Sequence, residues 1–128
     1  MRITVLGGGN GSYAAAADLA GLGHDVTLWR RDRQALQAVL ATRRLTLKDV
    51  SGVRDVILSR VTADIGKAVR GAELIVVPTP AFAQEDIARA LAPHLADGQV
   101  IFLPPGTFGS YAMMRVLRRA GCRAGVSI

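Results

Sequence analysis

Residues 1–32, MRITVLGGGNGSYAAAADLAGLGHDVTLWRRD, contain the pattern that decides the fold. A short β-branched run, Ile3 to Leu6, ends at a glycine-rich turn, and an alanine-rich helical stretch from Gly11 to Leu22 closes at Gly23. Val26 to Trp29 is a second short apolar run. A strand, a glycine turn, a helix and a second strand in this order predict a βαβ unit with parallel strands.

The turn between the first strand and the helix reads G-x-G-x-x-S, where G-x-G-x-x-G or A is typical of dinucleotide binding. In such a turn, Gly7 permits the sharp exit from the strand and Gly9 lets a pyrophosphate approach the backbone. Ser12 supplies a small residue for close contact between helix and strand. The start of the helix would offer free N–H groups to phosphates, whereas the alternative is a flexible turn without a ligand. The expected cofactor-binding residues of this turn are Gly7, Gly9, Asn10, Gly11 and Ser12.

Apolar runs alternate with helical stretches along the rest of the chain. The expected elements are a helix capped by Asp32 and running to about Ala41, a hairpin pairing Leu45–Lys48 with Val56–Ser59, a strand beginning at Val61, a short helix from Asp64 to Arg70, a strand at Leu74–Val77, a helix at Phe82–Leu95, a strand at Gln99–Leu103, a helix at Gly109–Ala120 and a final strand at Arg123–Ile128. This alternation predicts an α/β fold with a doubly wound, mainly parallel sheet and helices on both faces.

Composition limits the classes of function. The chain has 128 residues, of which 50% are hydrophobic and 20% charged, as expected for one globular domain. Its net charge of +6 suits a phosphate-bearing small ligand better than nucleic acid, because aromatics are only 5% and the arginines fall in short groups. No apolar run is long enough for a membrane helix. Cys122 is the only cysteine, which fits a cytoplasmic protein.

The end of the second strand indicates which dinucleotide is preferred. Enzymes that use NAD place a carboxylate there for the ribose 2′-hydroxyl, but this strand ends in Trp29-Arg30-Arg31. Asp25 lies at the other end of the strand, and Asp32 is explained as a helix cap. Since arginine grips phosphate in a bidentate way, Arg30 and Arg31 favour NADP over NAD. The alternatives are that both are solvated charges or that one stacks on adenine.

Two further loops follow strands at the sheet edge where ligands bind in this class of fold. Pro78-Thr79-Pro80 follows one strand, and Pro104-Pro105-Gly106-Thr107 follows the next. The prolines restrict the backbone, and Gly106 permits a close approach. We expect Pro78, Thr79, Pro80, Pro105, Gly106 and Thr107 to contact the cofactor, with ordinary loop structure as the alternative. No catalytic residue and no metal ligand is predicted.

These motifs, together with Gly98-Gln99 and the Pro105-Gly106-Thr107-Phe108-Gly109 loop, resemble the N-terminal NAD(P)-binding domain of opine (octopine/nopaline) dehydrogenases. That family is related to glycerol-3-phosphate dehydrogenases and ketopantoate reductases. The resemblance implies that residues 1–128 are one Rossmann-type domain of an oxidoreductase that uses NADP or NAD. It also implies reductive condensation of an amino acid with an α-keto acid, in a second, helical catalytic domain absent from this chain.

Several alternatives stay open. The reductase could instead be of the glycerol-3-phosphate dehydrogenase or ketopantoate reductase type. Alternatively, the chain could be a freestanding NAD-sensing regulatory domain, or a truncated or degenerate domain with no activity. His24 and His94 do not match the catalytic position of the resembled family; we expect a turn residue and a helix-surface residue. The expected partners are NAD(P)H, substrate only with the second domain, and further copies of the chain in a homo-oligomer, but neither nucleic acid nor a membrane.

Overall fold

The computed structural model describes residues 1–106 and 108–128. The strands are β1 (Arg2–Leu6), β2 (Asp25–Trp29), β3 (Arg44–Asp49), β4 (Gly52–Ile57), β5 (Arg60–Thr62), β6 (Leu74–Val76) and β7 (Val100–Phe102). The α-helices are α1 (Asn10–Gly21), α2 (Gln37–Thr42), α3 (Ile65–Val69), α4 (Ala81–Leu91) and α5 (Gly109–Arg119). A 3-10 turn, Gln34–Leu36, precedes α2.

The central sheet has the strand order β5-β2-β1-β6-β7, and each neighbouring pair is parallel. The register places Leu6 beside Trp29 and Val5 beside Val76. The chain winds outward from β1 in one direction through β2 and β5, and in the other through β6 and β7. This arrangement confirms the predicted Rossmann-type doubly wound fold, and its switch point lies between the carboxyl ends of β1 and β6.

Both faces of the sheet are covered along its central strands β1, β2 and β6, which explains why these strands are mostly apolar. On one face, Ile3, Val5 and Leu28 pack toward α1 and α2. On the other face, Ile75 and Val77 belong to a second apolar cluster that includes residues of α3, α4 and α5. Alternate residues of a strand point to opposite faces, so a strand covered on both faces buries consecutive side chains, as Ile3 to Leu6 show.

A hairpin formed by β3 and β4 packs against α1, as an insertion between the βαβ units. Leu45 pairs with Val56, which confirms the predicted hairpin, but the second strand begins at Gly52 and not at Val56. A tight turn explains the difference, because the Ser51 N–H donates to Asp49 Oδ1 at 2.8 Å and Gly52 takes a φ of +116°. Residues 58 and 59 leave the hairpin and lead into β5.

Helix α4 is shorter than predicted, and the predicted final strand does not form. Helix α4 ends at Leu91 and not at Leu95, because Pro93 has no N–H to continue the helical ladder. The predicted strand at Arg123–Ile128 was wrong: the described contact is a single parallel bridge between Val100 and Ser127. The Ile101 N–H donates to the Ser127 carbonyl at 2.8 Å, so the segment touches β7 without forming a strand.

The predicted cap at Asp64 is confirmed, whereas Asp32 precedes a 3-10 turn and the α-helix that it was predicted to cap begins only at Gln37. Asp32 Oδ1 accepts a hydrogen bond from the Ala35 N–H at 3.1 Å, ahead of the 3-10 turn. Asp64 Oδ1 accepts one from the Lys67 N–H at 2.9 Å at the start of α3. This bond to the ionised form lowers the pKa of Asp64 below its ordinary value.

Candidate functional site

A crevice of about 350 Å³ lies at the carboxyl edge of the central sheet, where β1, β2 and β6 end. The site thus coincides with the switch point of the fold, where ligands bind in open α/β sheets. A groove of about 420 Å³ between α4 and α5 is lined by none of the predicted site residues. The crevice is lined by Gly7, Gly8, Gly9, Trp29, Arg30, Arg31, Asp32, Pro78, Thr79, Pro80, Ala83, Asp86 and Ile87.

Gly7 makes the turn out of β1. Its N–H donates to the Trp29 carbonyl at 2.9 Å, which extends the pairing of β1 with β2 by one residue. Its φ is +137°, a conformation that residues with a side chain rarely adopt. A Cβ there would meet Ser12 Oγ and would lie 3.0 Å from Thr79 Cγ2. Gly7 is therefore required by the backbone and by the packing around it.

Neither the backbone conformation nor the packing requires glycine at position 9. It is exposed at the start of α1, with an extended backbone (φ −85°, ψ 171°), and a Cβ built on it would find nothing within 4 Å. No side chain caps α1 here, and its first turn carries no acidic residue. The first N–H groups of a helix lack intrahelical partners and carry partial positive charge. An open space over such a helix start fits a phosphate group of a dinucleotide.

Ser12 and Thr79 lie beneath the glycine turn. Ser12 is fully buried, and Ser12 Oγ and Thr79 Oγ1 have no hydrogen-bond partner among the described residues. Ser12 packs against Gly7, so the small third residue of the motif brings α1 close to β1, as predicted from its size. Asn10, Gly11 and Ser12 do not line the crevice itself.

Arg30 and Arg31 stand at the carboxyl end of β2, and both line the crevice. The Arg30 backbone N–H donates to the Thr62 carbonyl at 3.3 Å, and its Nη1 donates to Tyr13 Oη at 3.4 Å. None of the ion pairs formed by the described residues involves Arg30 or Arg31. The crevice therefore has two guanidinium groups that pair with no carboxylate among the described residues, although Asp32 and Asp86 also line it.

The two proline loops differ in their position. Pro78, Thr79 and Pro80 line the crevice next to the glycine turn. Pro105 and Gly106 follow the neighbouring strand β7 at the same edge but do not line the crevice. Gly106 has a φ of +89°, and its carbonyl accepts a hydrogen bond from the Gly109 N–H at 2.6 Å. Thr107 lies outside the described residues.

Residues 3–122 match the family described as ketopantoate reductase PanE/ApbA. The chain belongs to the ketopantoate reductase PanE/ApbA family. It is 34% identical over 118 residues to an opine dehydrogenase of Arthrobacter sp. (strain 1C), covering 91% of this chain and 33% of that protein. It is 35% identical over 101 residues to a glycerol-3-phosphate dehydrogenase [NAD(P)+] of Nitratidesulfovibrio vulgaris (strain DP4), covering 79% of this chain and 30% of that protein. The resemblance to opine dehydrogenases and their relatives is thus confirmed.

Solved structures of this ketopantoate reductase family and of opine dehydrogenases share the fold. An octopine dehydrogenase with NADH and L-arginine superposes with a TM-score of 0.78 at 25% identity, over 98% of this chain and 33% of that one. A PanE/ApbA family ketopantoate reductase from Ralstonia eutropha JMP134 gives 0.73 at 26% identity, over 99% and 39%. The chain therefore spans about a third of the length of these relatives.

The crevice of this PanE/ApbA family member also contains residues that the sequence reasoning missed. Trp29 lines it while its Nε1 donates to the Ala63 carbonyl at 3.0 Å. Asp32, predicted only as a cap, is also a lining residue. Ala83, Asp86 and Ile87 come from the first turns of α4. The sequence could have predicted these three residues, because α4 directly follows the Pro78–Pro80 loop. A helix that follows a loop at the carboxyl edge of the sheet starts at that edge.

Other candidate groups lie elsewhere. His94 lies in the turn after α4 and not on the helix surface, so that prediction was wrong in its detail; a Cβ on Gly66 would lie 2.9 Å from its ring. Over residues 1–106 and 108–128, no group of three or more His, Cys, Asp or Glu side chains could hold a metal ion. Over the same residues, no helix combines the length and the apolar character needed to cross a membrane.

Proposed function

We propose that this chain is the dinucleotide-binding domain of an NAD(P)H-dependent oxidoreductase of the opine dehydrogenase type. The observation that carries the proposal is the open face of Gly9 at the start of α1, beside two arginines without carboxylate partners among the described residues. A helix start and two free guanidinium groups at one crevice favour a ligand with several phosphate charges.

Different residues of the crevice would bind different parts of the dinucleotide. The N–H groups at the start of α1 would hold the pyrophosphate, and Gly9 leaves room for it. Arg30 and Arg31, at the end of β2, would hold the adenosine ribose and its substituents. Pro78, Thr79 and Pro80 would lie along the nicotinamide half. Bound NAD(P)H would supply the hydride, while this chain binds and orients the dinucleotide.

The reaction itself would need polypeptide beyond these residues. The opine dehydrogenase and glycerol-3-phosphate dehydrogenase relatives are matched over only 33% and 30% of their lengths, and no catalytic group is assigned here. We propose that a second, helical domain supplies the substrate site for an amino acid and an α-keto acid. A reductase of the glycerol-3-phosphate dehydrogenase or ketopantoate reductase type is the second candidate, favoured by the 35% identity over 101 residues and by the family match.

We further propose that NADPH binds better than NADH, chiefly because of Arg30. The 2′-phosphate adds close to two negative charges that NADH lacks, and a charge-assisted hydrogen bond to guanidinium contributes about 1.5–3 kcal/mol. This difference corresponds to about 10- to 150-fold in the dissociation constant. An aspartate at position 30 would instead repel the phosphate and accept a hydrogen bond from the 2′-hydroxyl.

Paired dissociation constants for NADPH and NADH, measured by calorimetry at one ionic strength, test this proposal. Arg30→Asp should reverse the preference, and Arg31→Ala should weaken NADPH binding less. Arg119→Asp is the matched control, because it makes the same change of charge in the groove between α4 and α5. If the unchanged chain prefers NADH, or if Arg30→Asp acts no differently from Arg119→Asp, Arg30 does not select the cofactor; Asp32 is then the next residue to change.

A further inference from the structure

Gly8, the middle glycine of the turn, has a neighbour that no local rule of the motif predicts. A Cβ built on Gly8 would overlap Nε of Arg30 and would lie 2.6 Å from its Cδ and 2.9 Å from its Cγ. The φ of Gly8 lies outside the left-handed range, so its backbone does not require glycine. The side chain of Arg30, which lies across Gly8, therefore leaves no room for a side chain at position 8.

Tyr13 holds the other end of the same arginine. Its backbone N–H donates to the Gly9 carbonyl at 3.2 Å, which anchors Tyr13 in the first turns of α1. Its hydroxyl accepts a hydrogen bond from Arg30 Nη1 at 3.4 Å. Arg30 is half-buried and lines the crevice. Its aliphatic stem rests on Gly8, while its guanidinium reaches Tyr13, which does not itself line the crevice.

We propose that Gly8 and Tyr13 are positioning residues that set the direction of the Arg30 guanidinium and thereby the discrimination between NADPH and NADH. The inference rests on the proposed dinucleotide site and names two further residues that control its selectivity. Bidentate recognition of a phosphate depends on the orientation of the guanidinium plane as well as on its charge. A methyl group at position 8 would force the arginine stem from 2.6 Å to at least the 3.4 Å of an ordinary contact.

Such a change should leave the fold intact, which makes it testable. The atoms that the new Cβ would meet belong to a flexible side chain with one face toward the crevice, and not to backbone. Arg30 can rotate away at little cost, and only its position relative to the ligand is lost. Gly7 is different, because its Cβ would meet the fully buried Ser12.

The test is a double-mutant cycle on the ratio of NADPH to NADH dissociation constants, with each variant's thermal melt recorded. Gly8→Ala should lower the preference for NADPH by about 5- to 30-fold, and Tyr13→Phe, which removes one long hydrogen bond, by about 2- to 3-fold. In an Arg30→Ala background, neither change should move the ratio. Gly125→Ala is the matched control, because it lies outside the crevice and its Cβ would make only an ordinary 3.7 Å contact with Asp97.

The outcomes of this test distinguish a failure of the positioning role from a failure of the proposed function. A chain that binds neither dinucleotide refutes the proposed function itself. Equal losses of NADPH and NADH affinity in Gly8→Ala, persisting without Arg30, would show that the methyl group meets the dinucleotide directly and would overturn the positioning role. A ratio unmoved by Gly8→Ala, or a wild-type chain that prefers NADH, would overturn it as well. Loss of the NADPH preference only where Arg30 is present would establish it.

Discussion

Gly7 and Gly9 stand two positions apart in the same motif, yet valine at each should have a different effect on stability. At Gly7, φ is +137° and a Cβ would meet Ser12 Oγ and Thr79 Cγ2. At Gly9, φ is −85° and a Cβ would find nothing within 4 Å. We expect Gly7→Val to destabilise the fold and Gly9→Val to spare it, while both abolish dinucleotide binding.

The magnitudes follow from these two environments. For Gly7→Val, the unfavourable φ costs about 1–3 kcal/mol. Overpacking against the buried Ser12 costs about 1–3 kcal/mol more. The sum is a large part of the roughly 5–15 kcal/mol that separates a folded domain from its unfolded state. For Gly9→Val, the backbone is extended and the side chain meets solvent, so only the weaker helix-capping tendency of valine remains, about 1 kcal/mol or less.

Urea denaturation gives the free energies of unfolding, and calorimetry gives the affinities for NADPH. The expected pattern is a Gly9→Val protein with a midpoint near that of the unchanged chain and no measurable binding, beside a Gly7→Val protein with a much lower midpoint. Equal loss of stability in the two variants would refute the described geometry of the turn. Retained NADPH affinity in Gly9→Val would show that the phosphates do not lie over the start of α1.

Three further predictions concern the core, acid stability and activity. Leu28 is fully buried on β2, so Leu28→Ala should lower the free energy of unfolding by about 2–5 kcal/mol. Val50 is exposed, so Val50→Ala should lower it by less than about 0.5 kcal/mol; urea denaturation measures both values. The pKa of Asp64 is lowered in the folded state by the Lys67 N–H, so its contribution to stability is present above the ordinary pKa of 3.8 and is lost as pH falls through the folded value. Melting temperatures followed from pH 6 to about pH 2 should therefore decline less steeply for Asp64→Asn, and an unchanged slope would contradict the assignment. The purified chain should bind NADPH without oxidising it in the presence of pyruvate and an amino acid, and steady loss of NADPH absorbance would refute the proposal that the substrate site lies elsewhere.

Much of the fold was predictable because its signals are local. The central strands are mostly apolar, since both faces of the sheet are covered there, and the glycine turn marks the junction of β1 and α1. The cap at Asp64 could be predicted because a cap bonds to backbone only three residues away. The strand predicted at 123–128 failed because a strand depends on partners distant in sequence, and an apolar segment alone does not specify them.

The features of the site also fall into those that the sequence predicts and those that depend on tertiary contacts. Local sequence determined that a glycine turn opens a helix at residues 7–12, because a φ of +137° selects glycine and helix starts attract phosphate. The end of β2 also distinguished Arg30 and Arg31 among the 16 basic residues, and both line the crevice. Only the tertiary structure decided that Ser12 Oγ is buried without a hydrogen-bond partner among the described residues, and that α4 contributes Asp86 and Ile87. The contact between Gly8 and Arg30 belongs to this second group. It exists because the parallel register of β1 and β2 places Leu6 beside Trp29, and that pairing joins residues far apart along the chain.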